Sequence, residues 1–293
     1  MLKIIIDTNI LLDFYRSKNE SLEVLKLFKE CPDKLIFPMH IYDEYRRKRL
    51  DELEKILNEI KLAKQIPFIN NSVLINELPE VKEINAIKKS YNVQLGNLIE
   101  KVIEIKKDKL KDPIYKIIEQ FIQNEKINKI RVTNEIVDAA KYRQLKGQPP
   151  GEKSKFNVGD QIIWESILSN VNQNIVLVTR DDTYNNNYEI LAEEFYERTG
   201  FNFTITDKIT DSFEKCGIRP KKKVREIEEA QIKYLKEHLY RYQSIPSTVH
   251  VKDGTYKVIS GDLKVPSELN ILKQMDFISD DSYIQIDKII KED

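Results

Sequence analysis

Four acidic side chains stand where predicted elements can bring them together. Asp7 and Asp181 each follow a short apolar run of the kind that forms a strand buried on both faces of a parallel sheet. Asp160 opens a predicted helix before the second of these strands, and Glu44 lies on a helix that follows a third short strand. Because ligands bind outside the carboxyl ends of strands in open α/β sheets, we expect the four carboxylates to converge.

Crowded carboxylates repel one another, and protonation or a bound cation relieves that repulsion. Oxygen-only ligands suit Mg²⁺ or Mn²⁺, whereas the three histidines, His40, His238 and His250, have no zinc-type spacing. One or two such ions can lower the pKa of a water and stabilise the leaving oxygen when a phosphodiester is cleaved. The pattern therefore predicts metal-assisted hydrolysis.

Three of the acids also have a simpler interpretation. Asp7 follows a strand and Asp160 follows Gly159, so either could be a helix N-cap. Glu44 lies in a helix rich in charges and, taken singly, could be only a solvated side chain. The combination of the four, in their predicted positions, favours a site.

The surrounding pattern predicts an α/β fold with a central parallel sheet. Strands are expected over Lys3–Ile6, Leu35–Phe37, Ile175–Val178 and at an edge over Phe203–Thr206, with a long helix from Pro38 towards Lys64. The stretch from about 67 to 147 is rich in Lys, Glu, Ile and Leu, and we expect a helical insertion there. We predict one domain over 1–218 and a small α+β appendage over 219–293, with a hairpin at Asp253-Gly254, a helix near Leu269 and a strand near Tyr283.

Composition narrows the class of protein. The 48 basic and 48 acidic residues cancel, so any site for a polyanion must be local. The two cysteines, Cys31 and Cys216, form no C-x-x-C pair, which favours reduced thiols over a disulfide framework or a zinc site. The start MLKIIIDTNILLDF is interrupted by polar residues and suits neither a secretory signal nor a membrane span, so we expect a cytoplasmic protein without membrane contact.

Four ordered segments resemble a PIN-domain nuclease: IIIDTNILLDF, IYDEYRRKR, GDQIIWESIL and VLVTRDD. The stretch PPGEKSKFNVGDQIIW is similar to a larger bacterial PIN-like branch, in which a PPG loop precedes a GD-x-x-x-W helix. The resemblance covers roughly residues 1–215. It implies a Rossmann-like α/β/α sandwich and cleavage of RNA that depends on Mg²⁺ or Mn²⁺.

The resemblance also implies roles for single residues. Asp7, Glu44, Asp160 and Asp181 would be the catalytic metal ligands, with Asp182 as a neighbour that could replace Asp181. Asn9 would support Asp7, and Thr179 would orient the strand end through its hydroxyl. Lys153 and Arg180 would meet substrate phosphate, although a solvated cation suits each equally well.

Several functions compete on these residues. An endoribonuclease is preferred, and a structure-directed nuclease acting on DNA or RNA flaps is the alternative within the same fold. A non-catalytic PIN scaffold that binds RNA or a protein partner is a second class. An aspartyl-phosphate phosphatase is disfavoured, because Asn9 stands where that chemistry expects a second Asp. An antitoxin or regulatory protein partner and a homo-oligomer are both compatible with the sequence.

Overall fold

The computed structural model describes residues 2–17, 21–63, 75, 78–151, 158–238, 248–251 and 254–257. The chain divides into two compact units, Met1–Glu228 and Glu229–Asp293. This division falls inside a helix, Lys222–His238, and the domain boundary after residue 218 stays a prediction. The first unit contains all four predicted acids.

Parallel strands form the centre of the first unit. Three of them pair in the order β1-β4-β5: β1 (Leu2–Ile6), β4 (Asn174–Val178) and β5 (Phe203–Thr206). Two more pair with each other, β2 (Ile36–Pro38) and β3 (Asn128–Ile130), and a parallel bridge from Ile4 to Leu35 joins the second pair to β1. The isoleucines of β1 from Ile4 to Ile6 are almost fully buried, as expected for a strand covered on both faces.

Helices connect these strands, and the predicted α/β/α arrangement around a parallel sheet is confirmed. In chain order, the described α-helices are α1 (Thr8–Arg16), α2 (Leu22–Lys26), α3 (Met39–Leu62), α4 (Pro79–Lys107), α5 (Pro113–Ile122), α6 (Asn134–Leu145), α7 (Gly159–Asn170), α8 (Asp182–Asn185), α9 (Tyr188–Thr199), α10 (Ile209–Lys215) and α11 (Lys222–His238). The end of α9 at Gly200 has a physical reason, since this glycine adopts a left-handed conformation with φ of 74°.

The region expected to be a helical insertion also contains a strand. Helices α4, α5 and α6 lie within 67–147 as predicted, but β3 runs between α5 and α6 and pairs with β2. The sequence missed this strand because it is three residues long and begins with the exposed polar pair Asn128-Lys129. Part of the predicted insertion therefore belongs to the strand framework of the fold.

In the second unit, the hairpin expected at Asp253-Gly254 is present. Strands β6 (Thr248–Val251) and β7 (Gly254–Lys257) pair in antiparallel fashion. The helix expected near Leu269 and the strand expected near Tyr283 lie outside the described residues. Within the part of the chain that the structure describes, no helix is both long and apolar enough to cross a membrane.

A buried charge network fastens α6 to α7 and α9. The side chain of Arg143 is 3% exposed and donates to Glu165 at 2.7 Å and to Glu194. It also donates to the carbonyl of Pro149 at 2.6 Å, while the indole of Trp164 donates to Glu194 at 2.9 Å. The network thus holds the start of the PPG loop against the helix that carries Asp160.

Arg143→Met should destabilise the protein strongly, because it leaves the carboxylates of Glu165 and Glu194 without their buried cation. We expect a loss of about 3 kcal/mol in the free energy of unfolding, measured by urea denaturation. Arg198→Met is the matched control, because Arg198 contacts the same two carboxylates while its side chain is 51% exposed. That variant should lose less than about 1 kcal/mol, and equal losses in the two variants would contradict a buried network.

Candidate metal centre

Asp7 stands at the end of β1 and fills two roles at once. Its backbone N–H donates to the carbonyl of Val178 at 3.0 Å, which continues the pairing of β1 with β4 by one residue. Its carboxylate caps α1, since Oδ1 accepts from the backbone N–H of Thr8 at 2.6 Å. Oδ2 accepts from the hydroxyl of Thr179 at 2.6 Å. The capping interpretation and the site interpretation of Asp7 are therefore compatible.

The hydroxyl of Thr179 organises the ends of both strands. It accepts from the side-chain amide of Asn9 at 3.3 Å and from the backbone N–H of Asp181 at 3.0 Å. With two donors directed at its oxygen, the single hydroxyl proton goes to Asp7. Asn9 and Thr179, expected as supporting residues, thus lie beside Asp7, and the amide oxygen of Asn9 is buried with no hydrogen-bond partner among the described residues.

Glu44 projects from the second turn of α3 and is held from two sides. It is 7% exposed, its Oε2 accepts from the hydroxyl of Thr8 at 2.7 Å, and its Oε1 lies 2.8 Å from Nζ of Lys48. Burial by itself would raise the pKa of Glu44, but the hydrogen bonds from Lys48 and Thr8 lower it overall. Glu44 is therefore a fixed, buried carboxylate and not the solvated side chain that its helix composition allowed.

The other two acids enter the site from α7 and from the end of β4. Asp160 is the second residue of α7, whose N-cap is Val158 without a side-chain hydrogen bond, so Asp160 is not the cap. Asp181 is the N-cap of α8 and accepts from the backbone N–H of Thr183 at 2.8 Å. Asp182 is exposed, and Asp181 is the one of this pair whose charge raises the pKa of Asp7. This placement favours Asp181 as the fourth acid.

The pKa of Asp7 responds to the charges of the other three predicted acids. Its pKa is raised from 3.8 to about 8, first by burial and then by the charge of Asp160, with smaller contributions from Asp181 and Glu44. The hydrogen bond from Thr179 acts in the opposite direction. All three of the other predicted acids therefore act on Asp7 although they are distant in sequence.

Tyr184 is a residue of the site that the sequence did not reveal. It is fully buried on α8, and its hydroxyl donates to the backbone carbonyl of Asp160 at 3.3 Å. Its pKa lies well above the ordinary value because of burial and the charges of the four acids, of which Asp160 and Asp7 act most strongly. A tyrosine three residues after Asp181 carries no sequence signal, because an aromatic side chain at that spacing equally suits an ordinary core.

The two predicted phosphate contacts have different outcomes. The side chain of Arg180 is 4% exposed, pairs with the buried Asp13 at 2.6 Å and donates to the carbonyl of Asp207. Arg180 therefore has partners within the protein, and its contact with substrate phosphate stays a prediction. Lys153 lies outside the described residues.

The donor set fits a hard divalent cation. The four acids supply oxygen ligands alone, the type that Mg²⁺ and Mn²⁺ prefer. The pKa of Asp7 is raised first by burial and then by neighbouring negative charge, which a cation would offset. Asn9, whose amide oxygen has no partner among the described residues, contacts the same Thr179 hydroxyl as Asp7. Within the described ranges, no three His, Cys, Asp or Glu side chains are arranged closely enough to hold one ion. The charges of Glu44, Asp160 and Asp181 thus raise the pKa of Asp7, but within the described residues the carboxylate oxygens do not close around a single ion position.

Without metal, the ionised Asp7 should destabilise the folded protein. Because its folded pKa of about 8 lies above the ordinary 3.8, the folded state binds a proton that the unfolded state has lost, and stability falls as pH rises between these values. Asp7→Asn removes this contribution. In EDTA, we expect the melting temperature of the wild type to fall relative to that of Asp7→Asn between pH 5 and pH 8. Asp182→Asn is the control and should follow the wild type; parallel curves for wild type and Asp7→Asn would contradict the convergence.

Comparison with known proteins assigns the family. A family model described as PIN domain matches residues 4–184, which is more than half of the chain. No curated protein and no solved structure gives a significant match. PIN domains are generally nucleases and typically use divalent metals. The matched region contains all four acids and the strands β2, β3 and β4, together with most of β1 and of α8, and the chain belongs to the PIN-domain family.

Proposed function

We propose that this chain is an endoribonuclease that hydrolyses phosphodiester bonds with the help of Mg²⁺ or Mn²⁺. The observation that carries the proposal is that the charges of Asp160, Asp181 and Glu44 all act on the buried Asp7, whose pKa is raised to about 8 first by burial and then by these charges. Asp7 and Glu44 are buried and Asp160 and Asp181 are half-buried, and a structural role alone gives no reason to collect acids whose charges oppose the ionisation of Asp7. Membership of the PIN family supports hydrolysis of nucleic acid as the reaction.

The proposed metal ligands are Asp7, Glu44, Asp160 and Asp181. When bound there, one or two ions would supply an activated water and would neutralise charge on the phosphate. The protein itself fixes the ligands: the hydroxyl of Thr179 holds Asp7, and the hydroxyl of Thr8 holds Glu44. These two threonines leave each carboxylate little freedom to turn, so the geometry is set before substrate arrives.

Two alternative functions would use the same fold and acids. Carboxylates alone do not distinguish ribose from deoxyribose, so a flap-directed nuclease uses the same ligand set. A non-catalytic scaffold is favoured by a single observation, the lack of a closed group of three ligands among the described residues. Against it stands the fixed orientation of Asp7 and Glu44, which a scaffold does not require.

The test is a cleavage assay on single-stranded RNA, single-stranded DNA and a flap duplex in parallel, with Mn²⁺ or Mg²⁺. We expect RNA to be cleaved and EDTA to abolish cleavage. Asp7→Asn and Asp160→Asn should each reduce the rate by at least about 100-fold, since loss of outer partners of a metal site already costs about 10- to 100-fold. Asp182→Asn is the matched control and should retain activity.

The outcomes separate the candidates. Activity that survives in both Asp7→Asn and Asp160→Asn would refute the mechanism. Preference for the flap duplex would favour the structure-directed nuclease. If calorimetry shows that the wild type does not bind Mn²⁺ and no substrate is cleaved, the scaffold replaces the enzyme.

A further inference from the structure

Lys48 holds one oxygen of a candidate metal ligand. Its Nζ lies 2.8 Å from Oε1 of Glu44, one helical turn away on α3. The other oxygen, Oε2, is already engaged by the hydroxyl of Thr8. The lysine side chain is 51% exposed, whereas that of Glu44 is 9% exposed. The cation thus approaches the buried carboxylate from the solvent side.

Such a contact is easily exchanged. An ion pair between neighbouring helical turns with a half-exposed lysine contributes little, because water screens it and a long side chain must be ordered to form it. A divalent ion bound by Glu44 would compete for the same oxygen, because such ions prefer carboxylate oxygens. Glu44 would then exchange the flexible lysine side chain for the ion.

A nucleic acid that enters this site also needs a positive partner. Its phosphates would meet four acids, and the charge of Arg180 is already used internally by Asp13. Lys48 carries its charge at the end of a flexible stem, at the rim of the acidic group. A lysine released from Glu44 is well suited to a phosphodiester, which it binds as a point charge.

We propose that Lys48 occupies Oε1 of Glu44 in the metal-free protein, yields it when the divalent ion binds, and then contacts a phosphate of the bound nucleic acid. Lys48 is thus both a competitor of the metal and a substrate-binding residue. The inference rests on the proposed function, since it takes Glu44 as a metal ligand.

Lys48→Met should change two measurements in opposite directions. Mn²⁺ binding by calorimetry should tighten by about two- to fivefold, the range expected for removal of an exposed competing ion pair. The KM for single-stranded RNA should rise by about three- to tenfold, with kcat little changed. The slope of log KM against log salt should decrease in magnitude by about 0.7, as expected for one lost phosphate contact. Lys48→Arg should restore the KM.

Lys55→Met is the matched control. Lys55 lies on the same helix, is 63% exposed and pairs with Glu52 at 2.9 Å, so it reproduces the kind of contact away from the four acids. It should leave Mn²⁺ affinity, KM and salt slope unchanged. A loss of both Mn²⁺ and RNA binding in Lys48→Met would indicate a merely structural role and overturn the inference.

Measurements on the wild type and on Lys48→Met together distinguish failure of the inference about Lys48 from failure of the proposed function. If the wild type binds Mn²⁺ and cleaves RNA but Lys48→Met binds Mn²⁺ no more tightly, only the inference about Lys48 fails. If the wild type neither binds Mn²⁺ nor cleaves RNA, the proposed function fails and the inference falls with it.

Discussion

The parallel pairing of β1 with β4 is the constraint on which the site depends. The register places Ile6 opposite Val178, so the next residues of both strands, Asp7 and Thr179, emerge side by side. The hydrogen bond from the Thr179 hydroxyl to Asp7 then joins the two strand ends. A shift of one residue in either strand would turn Asp7 to the other face of the sheet and separate the pair. The other three acids act on the carboxylate of Asp7 at this junction.

Collecting acids in a buried place has an electrostatic cost, and the protein offsets it locally. Asp7 and Asp181 each cap a helix, and each carboxylate accepts a hydrogen bond from a backbone N–H at the start of that helix. Glu44 is balanced by Lys48 and by a threonine hydroxyl. The pKa of Asp7 is nevertheless raised, first by its burial and then by the charges of Asp160, Asp181 and Glu44. Neutralisation of Asp7, by a proton or by a cation, therefore removes the repulsion that remains.

Burial separates the cations of this domain by role. Arg143 and Arg180 are almost fully buried and satisfy buried carboxylates, so each stabilises contacts between elements. Arginine suits this role because its planar group donates to several acceptors at once. Lys48 is half exposed and meets a single carboxylate oxygen that other cations can reach. The half-exposed Lys48 can therefore change partners, whereas the buried Arg143 and Arg180 would break contacts between elements if they did so.

Sequence alone determined the strands β1, β2, β4 and β5, the long helix α3 and the acids that stand at their ends, because uninterrupted apolar runs and helical periodicity are local signals. It also determined that Asp7 and Asp181 lie at the same edge of a sheet, since parallel strands share that edge. It missed β3, whose short polar residues are ordered by pairing with β2. Only the tertiary structure showed that the charge of Asp181 acts on the pKa of Asp7, that the charges of the acids act on Tyr184, and that Arg180 pairs with Asp13. The physical reason is that side-chain direction and partnership depend on contacts between distant segments, which no local pattern encodes.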